Sequence, residues 1–195
     1  REMSALGAEL LLPAHGLPIA GAARIARVLD DVASALEHVV NETLSRMNAG
    51  ETLDAIVQGV RVPAHLLERP YLRPVYDEPE FVVRNVWRLY GGWYDGNPAH
   101  LKPAPASLLA RELAALAGGA AQLAARAKQL AAASELRLAC ELVELAVQAE
   151  PESRAAHGAR AEIYAARRKS ELSLMARGIF GAAAEESAAK LGPTR

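Results

Sequence analysis

Several features are scarce in this chain of 195 residues, and each scarcity excludes a class of function. Cys140 is its only cysteine, so the chain can form neither an internal disulfide nor a cysteine-rich zinc site. Its 22 Lys and Arg nearly balance 23 Asp and Glu, which leaves a net charge of −1. Because no strong net field exists, we expect no nucleic-acid partner.

Long apolar runs and aromatic side chains are also scarce. Hydrophobic residues make up 51% of the chain, yet no uninterrupted run approaches the roughly 20 residues that a membrane-spanning helix needs. Aromatic residues reach only 5%, while alanine is abundant. Because alanine is the strongest helix former, this composition predicts an all-α fold and no membrane span.

The longest predicted helix covers residues 22–47. Its apolar residues recur at three- and four-residue steps, and the sequence Asn48-Ala49-Gly50 is typical of a helix end. A helix of this length measures about 40 Å, more than the core of a small domain requires. We therefore expect another surface to cover part of it.

The rest of the chain is predicted to be mostly helical after a proline-rich connection at residues 69–80. Between residues 121 and 151, Ala127, Ala139 and Ala146 occupy positions that suit a tetratricopeptide-like hairpin, and Pro151 closes the unit. The predicted shorter helices cover residues 52–60, 63–68, 80–90, 107–116, 119–132, 134–149, 153–168 and 170–191.

The segment preceding the long helix has a different character. Residues 9–12 form an apolar run closed by Pro13 and Gly16, which predicts a buried strand. A lone strand cannot satisfy its own backbone groups, so it pairs outside this chain or was cut from a larger protein. The start without an initiator Met favours the second interpretation. His15 follows the strand directly, where an imidazole can bind a metal, but no second His lies at ligand spacing.

Residues 91–103, "GGWYDGNPAHLKP", form the densest polar and aromatic motif. Tyr94, Asp95, Asn97 and His100 could bind an oxyanion or a sugar. Alternatively, Asp95 and Asn97 are turn formers that bond their own backbone, while Trp93 and Tyr94 anchor the loop.

Three isolated side chains have simpler interpretations. We expect Cys140 to pack in the core, and His38 and His157 to be solvated or capping groups.

"MNAG", "GWYDGNPA" and "LAGG", in this order, together with "LLLPAHGLPIAG" and "RGIFGAAAEES", resemble the linear alkylsulfatase family. Members of that family combine an upstream metallo-β-lactamase-like zinc domain with a helical dimerisation domain. The resemblance implies that residues 1–19 are the C-terminal remnant of the zinc domain and that residues 20–195 are the all-α dimerisation domain. Residues 6–16 would hold its last strand and metal-binding loop.

The resemblance also implies functional residues and partners. His15 would correspond to the final zinc ligand of a binuclear site whose other ligands lie upstream, so no cofactor is expected for the isolated chain. Tyr90, Tyr94 and Asn97 would lie near the substrate in the intact parent, and the helices would form a homodimer. Phe81 stands where the family pattern has a His, which leaves the substrate ester open.

Two rival interpretations remain. A stand-alone helical module could bind peptides through its tetratricopeptide-like hairpin, and would then be a monomer. A self-sufficient enzyme using Asp95 and His100 would need a nucleophile or base pair that the sequence does not show.

Overall fold

The computed structural model describes residues 1–14 and 16–192 of the chain. Within them the fold divides into two compact units, an N-terminal unit (Arg1–His100) and a C-terminal unit (Leu101–Arg195). The N-terminal unit contains α1 (Glu2–Ala5), β1 (Leu10–Leu11), β2 (Ile19–Ala20), α2 (Ala22–Asn48), α3 (Leu53–Gly59), α4 (Ala64–Leu67) and α5 (Pro79–Gly91). Short 3-10 turns at Pro70–Leu72 and Pro98–His100 complete it.

The N-terminal strand is neither lone nor buried in this chain. β1 pairs antiparallel with β2, with Leu10 opposite Ala20 and Leu11 opposite Ile19. Leu10 and Leu12 are nevertheless 57% and 69% exposed. The prediction of an unpaired, buried strand was therefore wrong, because the chain returns to form a two-stranded hairpin that packs on α2 through one side only.

The long helix is confirmed as α2, with 27 residues. Its apolar stripe lies against α3 and α5, where Ala35 and Val39 join the core of the N-terminal unit. Thr52 caps α3 as predicted, since its hydroxyl accepts a hydrogen bond from the Ala55 amide at 3.3 Å. The buried core of this unit is completed by Ile56, Val57, Val60, Val62, Leu66 and Val83.

Part of the α2 stripe is left uncovered by its own unit. Leu36 is 48% exposed, and Val32 is only half-buried. Together they line an apolar groove of about 250 Å³, whose other wall is the proline-rich segment with Leu72 and Pro74. The expectation that α2 exceeds what its own core needs agrees with this groove.

The C-terminal unit is an all-helical stack. Its helices are α6 (Ala106–Leu116), α7 (Ala120–Ala132), α8 (Leu136–Ala149), α9 (Arg154–Ser170) and α10 (Leu174–Leu191). Ala127, Ala139 and Ala146 are all 0% exposed, so the small residues lie where the helices approach most closely. Their burial agrees with the predicted packing positions, and the tetratricopeptide likeness itself stays a prediction.

Two helices begin two or more residues later than predicted, whereas the other helix starts agree within one residue. α8 begins at Leu136 instead of residue 134, because Ser134 has a φ of 67° in the left-handed region. α10 begins at Leu174 instead of residue 170, because α9 continues to Ser170 and the buried Ser173 caps the new helix at the Ala176 amide.

His157 is buried, and its prediction as a solvated or capping group was wrong. Its Nε2 donates to the Pro151 carbonyl at 2.8 Å, and its Nδ1 lies 3.1 Å from the Ser187 hydroxyl. Arg160 also donates to that hydroxyl, at 2.9 Å, and pairs with Glu144 at 2.7 Å. This network holds α8, α9 and α10 together, which a lone His in an alanine-rich stretch does not reveal.

Cys140 packs as predicted. It is half-buried against the core of the C-terminal unit, and desolvation raises the pKa of its thiol to about 11. At neutral pH the group is therefore protonated and poorly nucleophilic. Within the described residues no helix has the length and apolarity to cross a bilayer.

The alanine positions give a direct test of packing in the C-terminal unit. Ala127→Leu should lower the free energy of unfolding by about 1–3 kcal/mol, because the added methylenes have no space between α7 and its neighbours. Ala125→Leu, on the exposed face of the same helix, should change it by less than about 0.5 kcal/mol. Urea unfolding followed by far-UV circular dichroism measures both, and equal effects would contradict close packing.

Candidate functional site in the loop after α5

The candidate site lies in the loop that leaves the C-terminal end of α5. Val83 and Val86 bury one face of α5, and Gly92 ends the helix with a φ of 78°. α5 packs closely on α2 here: a Cβ on Gly91 would stand 2.8 Å from the Met47 methyl carbon. The loop therefore starts from a fixed point on the N-terminal unit.

Hydrogen bonds to two of its backbone carbonyls hold the loop against α3 and α5. The Trp87 indole Nε1 donates to the Tyr94 carbonyl at 3.1 Å, and the Leu53 amide donates to the Asp95 carbonyl at 3.0 Å. Gly96 has a φ of 92° and passes so close to Thr52 that a Cβ would lie 3.1 Å from its methyl group. Glycine is required at this position both for its backbone angle and for space.

Asp95, Asn97 and His100 form one hydrogen-bonded cluster. Asp95 Oδ1 accepts from the Asn97 amide at 3.0 Å, and Asn97 Oδ1 accepts from the Ala99 amide at 3.1 Å. These contacts confirm the interpretation of both residues as turn formers. His100 Nδ1 contacts Asp95 Oδ2 at 2.5 Å, and His100 Nε2 lies 3.3 Å from Nδ2 of the Asn97 side chain.

This cluster does not present a free base. Because the Asp95 carboxylate accepts, His100 Nδ1 donates to it, and Nε2 is then the acceptor for the side-chain Nδ2 of Asn97. The hydrogen bond from His100, followed by the one from the Asn97 backbone N–H, holds the pKa of Asp95 below its ordinary value. Both ring nitrogens of His100 are thus engaged within the loop, as expected of a structural brace.

The aromatic side chains of the motif and of Tyr90, directly before it, are mainly exposed to solvent. Trp93 is 72% exposed and Tyr90 is 62% exposed, while Tyr94 is 36% exposed and meets Trp93 edge to face at 6.1 Å. The prediction that Trp93 anchors the loop was therefore wrong. Trp87, one turn before the loop, is the aromatic anchor instead. The sequence did not indicate this role, because Trp87 lies within the predicted helix and not within the loop motif.

The candidate site residues fall into two places. Asn97 is drawn into the cluster with His100, whereas Tyr90 and Tyr94 belong to the exposed aromatic surface. Their role near a substrate stays a prediction. Phe81 lies half-buried in the first turn of α5.

Residues that could bind a metal ion do not cluster in the part of the chain that the structure describes. No group of three or more His, Cys, Asp or Glu side chains could hold a metal ion there, and His15 lies outside the described residues. Since a catalytic zinc ion takes about three protein ligands, these residues do not fit a zinc site by themselves.

The length of α2 predicted surplus apolar surface, but the sequence did not show the groove that this surface lines. Its walls come from residues 32–39 and 62–82, which are separated by the whole of α3.

The described residues define a largely helical protein whose N-terminal unit carries an uncovered apolar groove and a braced aromatic loop. The family model for alkyl sulfatase dimerisation matches residues 52–190. The chain therefore belongs to the alkylsulfatase dimerisation family, and the recognition made from its motifs is confirmed.

The chain is similar to several known sulfatases. It is 35% identical over 115 residues to the linear primary-alkylsulfatase of Pseudomonas sp. (strain ATCC 19151), which covers 58% of this chain and 22% of that protein. It is 30% identical over 143 residues to the alkyl/aryl-sulfatase BDS1 of Saccharomyces cerevisiae (strain ATCC 204508 / S288c), covering 73% of this chain and 22% of that protein.

A solved structure confirms the fold class. The stereoselective inverting sec-alkylsulfatase Pisa1 from Pseudomonas sp. superposes with a TM-score of 0.86 at 26% identity, over 95% of this chain and 29% of that one. This chain thus spans about a fifth of the length of the curated relatives it matches.

The Asp95 cluster gives a pH-dependent test. Because its pKa is lowered in the fold, Asp95 contributes stability that is present above the ordinary value of 3.8 and is lost as the pH falls through the lower folded value. Asp95→Asn should therefore lower the thermal midpoint at about pH 6, and the difference from wild type should shrink as the pH approaches about 3. In a His100→Ala background the same substitution should have a much smaller effect, and an undiminished effect would contradict the pairing.

Proposed function

We propose that this chain is the homodimerisation domain of a larger alkylsulfatase-like hydrolase. The observation that supports this function most directly is the uncovered apolar groove along α2, in a chain that belongs to the alkylsulfatase dimerisation family. An apolar groove on a long helix is a surface that another protein covers.

The shape of α2 favours a second copy as that cover. Stable dimers bury about 800 Å² on each partner, and a helix about 40 Å long with apolar residues along one side can supply a large part of that area. In a two-fold dimer the same patch meets itself. Leu36, at 48% exposure in the middle of α2, would lie close to such an axis.

The dimer can be tested with a charge at the centre of this surface. Wild-type chain should sediment as a dimer at micromolar concentration. Leu36→Glu should weaken the dimer at least about 100-fold, equivalent to about 2.8 kcal/mol, because a carboxylate would be buried without a partner. Sedimentation velocity over a dilution series measures the shift.

Leu138→Glu is the matched control, since Leu138 is 49% exposed and lies on α8 of the other unit. It should leave the dimer unchanged. A wild-type chain that is monomeric at all concentrations and captures a helical peptide would instead support the peptide-binding module.

We infer that catalysis belongs to an upstream metallo-β-lactamase-like zinc domain in the parent protein. The relatives named above are sulfatases of which this chain matches about a fifth, which leaves room for such a domain. Leu10, Leu12 and Leu17 in the N-terminal hairpin are all more than half exposed, and an upstream domain would cover them. Residues 1–19 would then be its remnant.

His15 would supply one ligand of a binuclear zinc site in that parent. When bound, zinc supplies a Lewis acid and an activated water for cleavage of a sulfate ester. The remaining ligands would come from upstream residues. Near the site, the exposed rings of Tyr90 and Tyr94 would face the substrate pocket, and Asn97 would brace the loop that carries them.

If catalysis belongs to an upstream zinc domain, this chain alone should be inactive. Purified chain with added zinc should not hydrolyse hexyl sulfate above the rate of zinc in buffer, because one imidazole cannot organise the metal. Release of inorganic sulfate provides the measurement. Zinc-dependent hydrolysis that is equally fast in His15→Ala would contradict the assignment of catalysis to another domain.

A further inference from the structure

A second cavity lies in the N-terminal unit, apart from the α2 groove and the loop after α5. It has a volume of about 400 Å³ and lies where the start of α2 meets the end of the α4 region. Three arginines line it, namely Arg24 and Arg27 from the first turns of α2 and Arg69 from the proline-rich segment. Segments more than forty residues apart in sequence thus bring three guanidinium groups to one cavity.

The nearby carboxylates neutralise only one of these charges. Asp31 is held by Arg69, at 3.5 Å, and by the Tyr71 hydroxyl, at 2.6 Å. Asp30 is paired with Arg1 at 3.2 Å. Among the described residues, no acidic side chain lies within salt-bridge distance of Arg24 or Arg27, so two of the three arginines that line the cavity are unpaired.

The placement of Arg24 is unfavourable for the helix itself. The amino-terminal end of a helix carries a partial positive charge, so a cation in the first turn is destabilising, whereas Arg27 lies in the second turn, where this effect has largely faded. α2 has no acidic residue in its first turn, and its cap residue, Gly21, offers no side chain. A sequence that departs from a local preference without a structural compensation often does so at a functional site.

The other walls of the cavity are apolar. Pro18 and Ile19 from the hairpin, Val28 from α2 and Pro70 line the cavity together with the three exposed arginines. A cavity of this volume, with apolar walls and a few convergent polar groups, has the usual composition of a small-ligand site. Guanidinium forks match the oxygen pairs of carboxylates, sulfates and phosphates.

We propose that this cavity binds a small amphiphilic anion, with its charged head against Arg24 and Arg27 and its short alkyl tail against Ile19 and Val28. Arg69 is fixed in place by Asp31 and completes the rim beside Tyr71. The cavity is formed within one unit, so the proposal does not depend on dimerisation.

Calorimetric titration of the whole chain with hexyl sulfate, hexanoate and inorganic sulfate tests the proposal. The two alkyl anions should bind one per chain, and inorganic sulfate should bind at least about tenfold more weakly because it lacks a tail. The stronger of the two alkyl anions identifies the preferred headgroup. Equal affinities for hexyl sulfate and inorganic sulfate, or no saturable binding of either alkyl anion, would overturn the proposal.

A double substitution, Arg24→Gln with Arg27→Gln, should weaken binding of the alkyl anion at least about tenfold. Arg84→Gln with Arg88→Gln removes the same charge from the exposed face of α5 and should leave the affinity within about twofold. Equal losses in the two double variants would show a general charge effect and overturn the assignment. The Leu36→Glu variant should bind like wild type, so a failure of dimerisation would be distinguishable.

Discussion

The packing of one long helix determines the organisation of the N-terminal unit. α2 presents an apolar stripe along 27 residues, and α3 and α5 cover only part of it. Ala35, Val39 and the buried Thr43 face these helices, while Leu36 on the adjoining face stays exposed. Burial of apolar area is the dominant favourable term in association as in folding. Covering the exposed part of α2 would therefore be energetically favourable.

The C-terminal unit is stabilised in a different way. Alanines at 0% exposure allow α7, α8 and α9 to approach closely, so that the core is made of many small contacts instead of a few large side chains. The buried His157 and Arg160 add directional hydrogen bonds that fix α10 against this core. Shape and polar pairing together define a single arrangement of these helices.

The loop after α5 combines a rigid frame with an exposed aromatic surface. Trp87, Gly96 and the Asp95–His100 pair fix its backbone, and this leaves Trp93 and Tyr90 free to contact something outside the unit. The residues that fix the loop are therefore different from those whose rings stay exposed. The arginine-lined cavity shows a comparable division, since Asp31 pairs with Arg69 while no described carboxylate lies within salt-bridge distance of Arg24 or Arg27.

The sequence by itself determined the all-α class, the extent of α2, the cap at Thr52 and the turn chemistry of Asp95 and Asn97, because each depends on neighbours within a few residues. The family was also readable from its motifs, which are strings of adjacent residues. Only the tertiary structure decided that β1 pairs with β2, that His157 is buried and that Trp87 replaces Trp93 as the anchor. It likewise brought Arg69 to Arg24 and Arg27. These outcomes depend on segments far apart in the chain, whose approach is set by packing and leaves no periodic signal in the sequence.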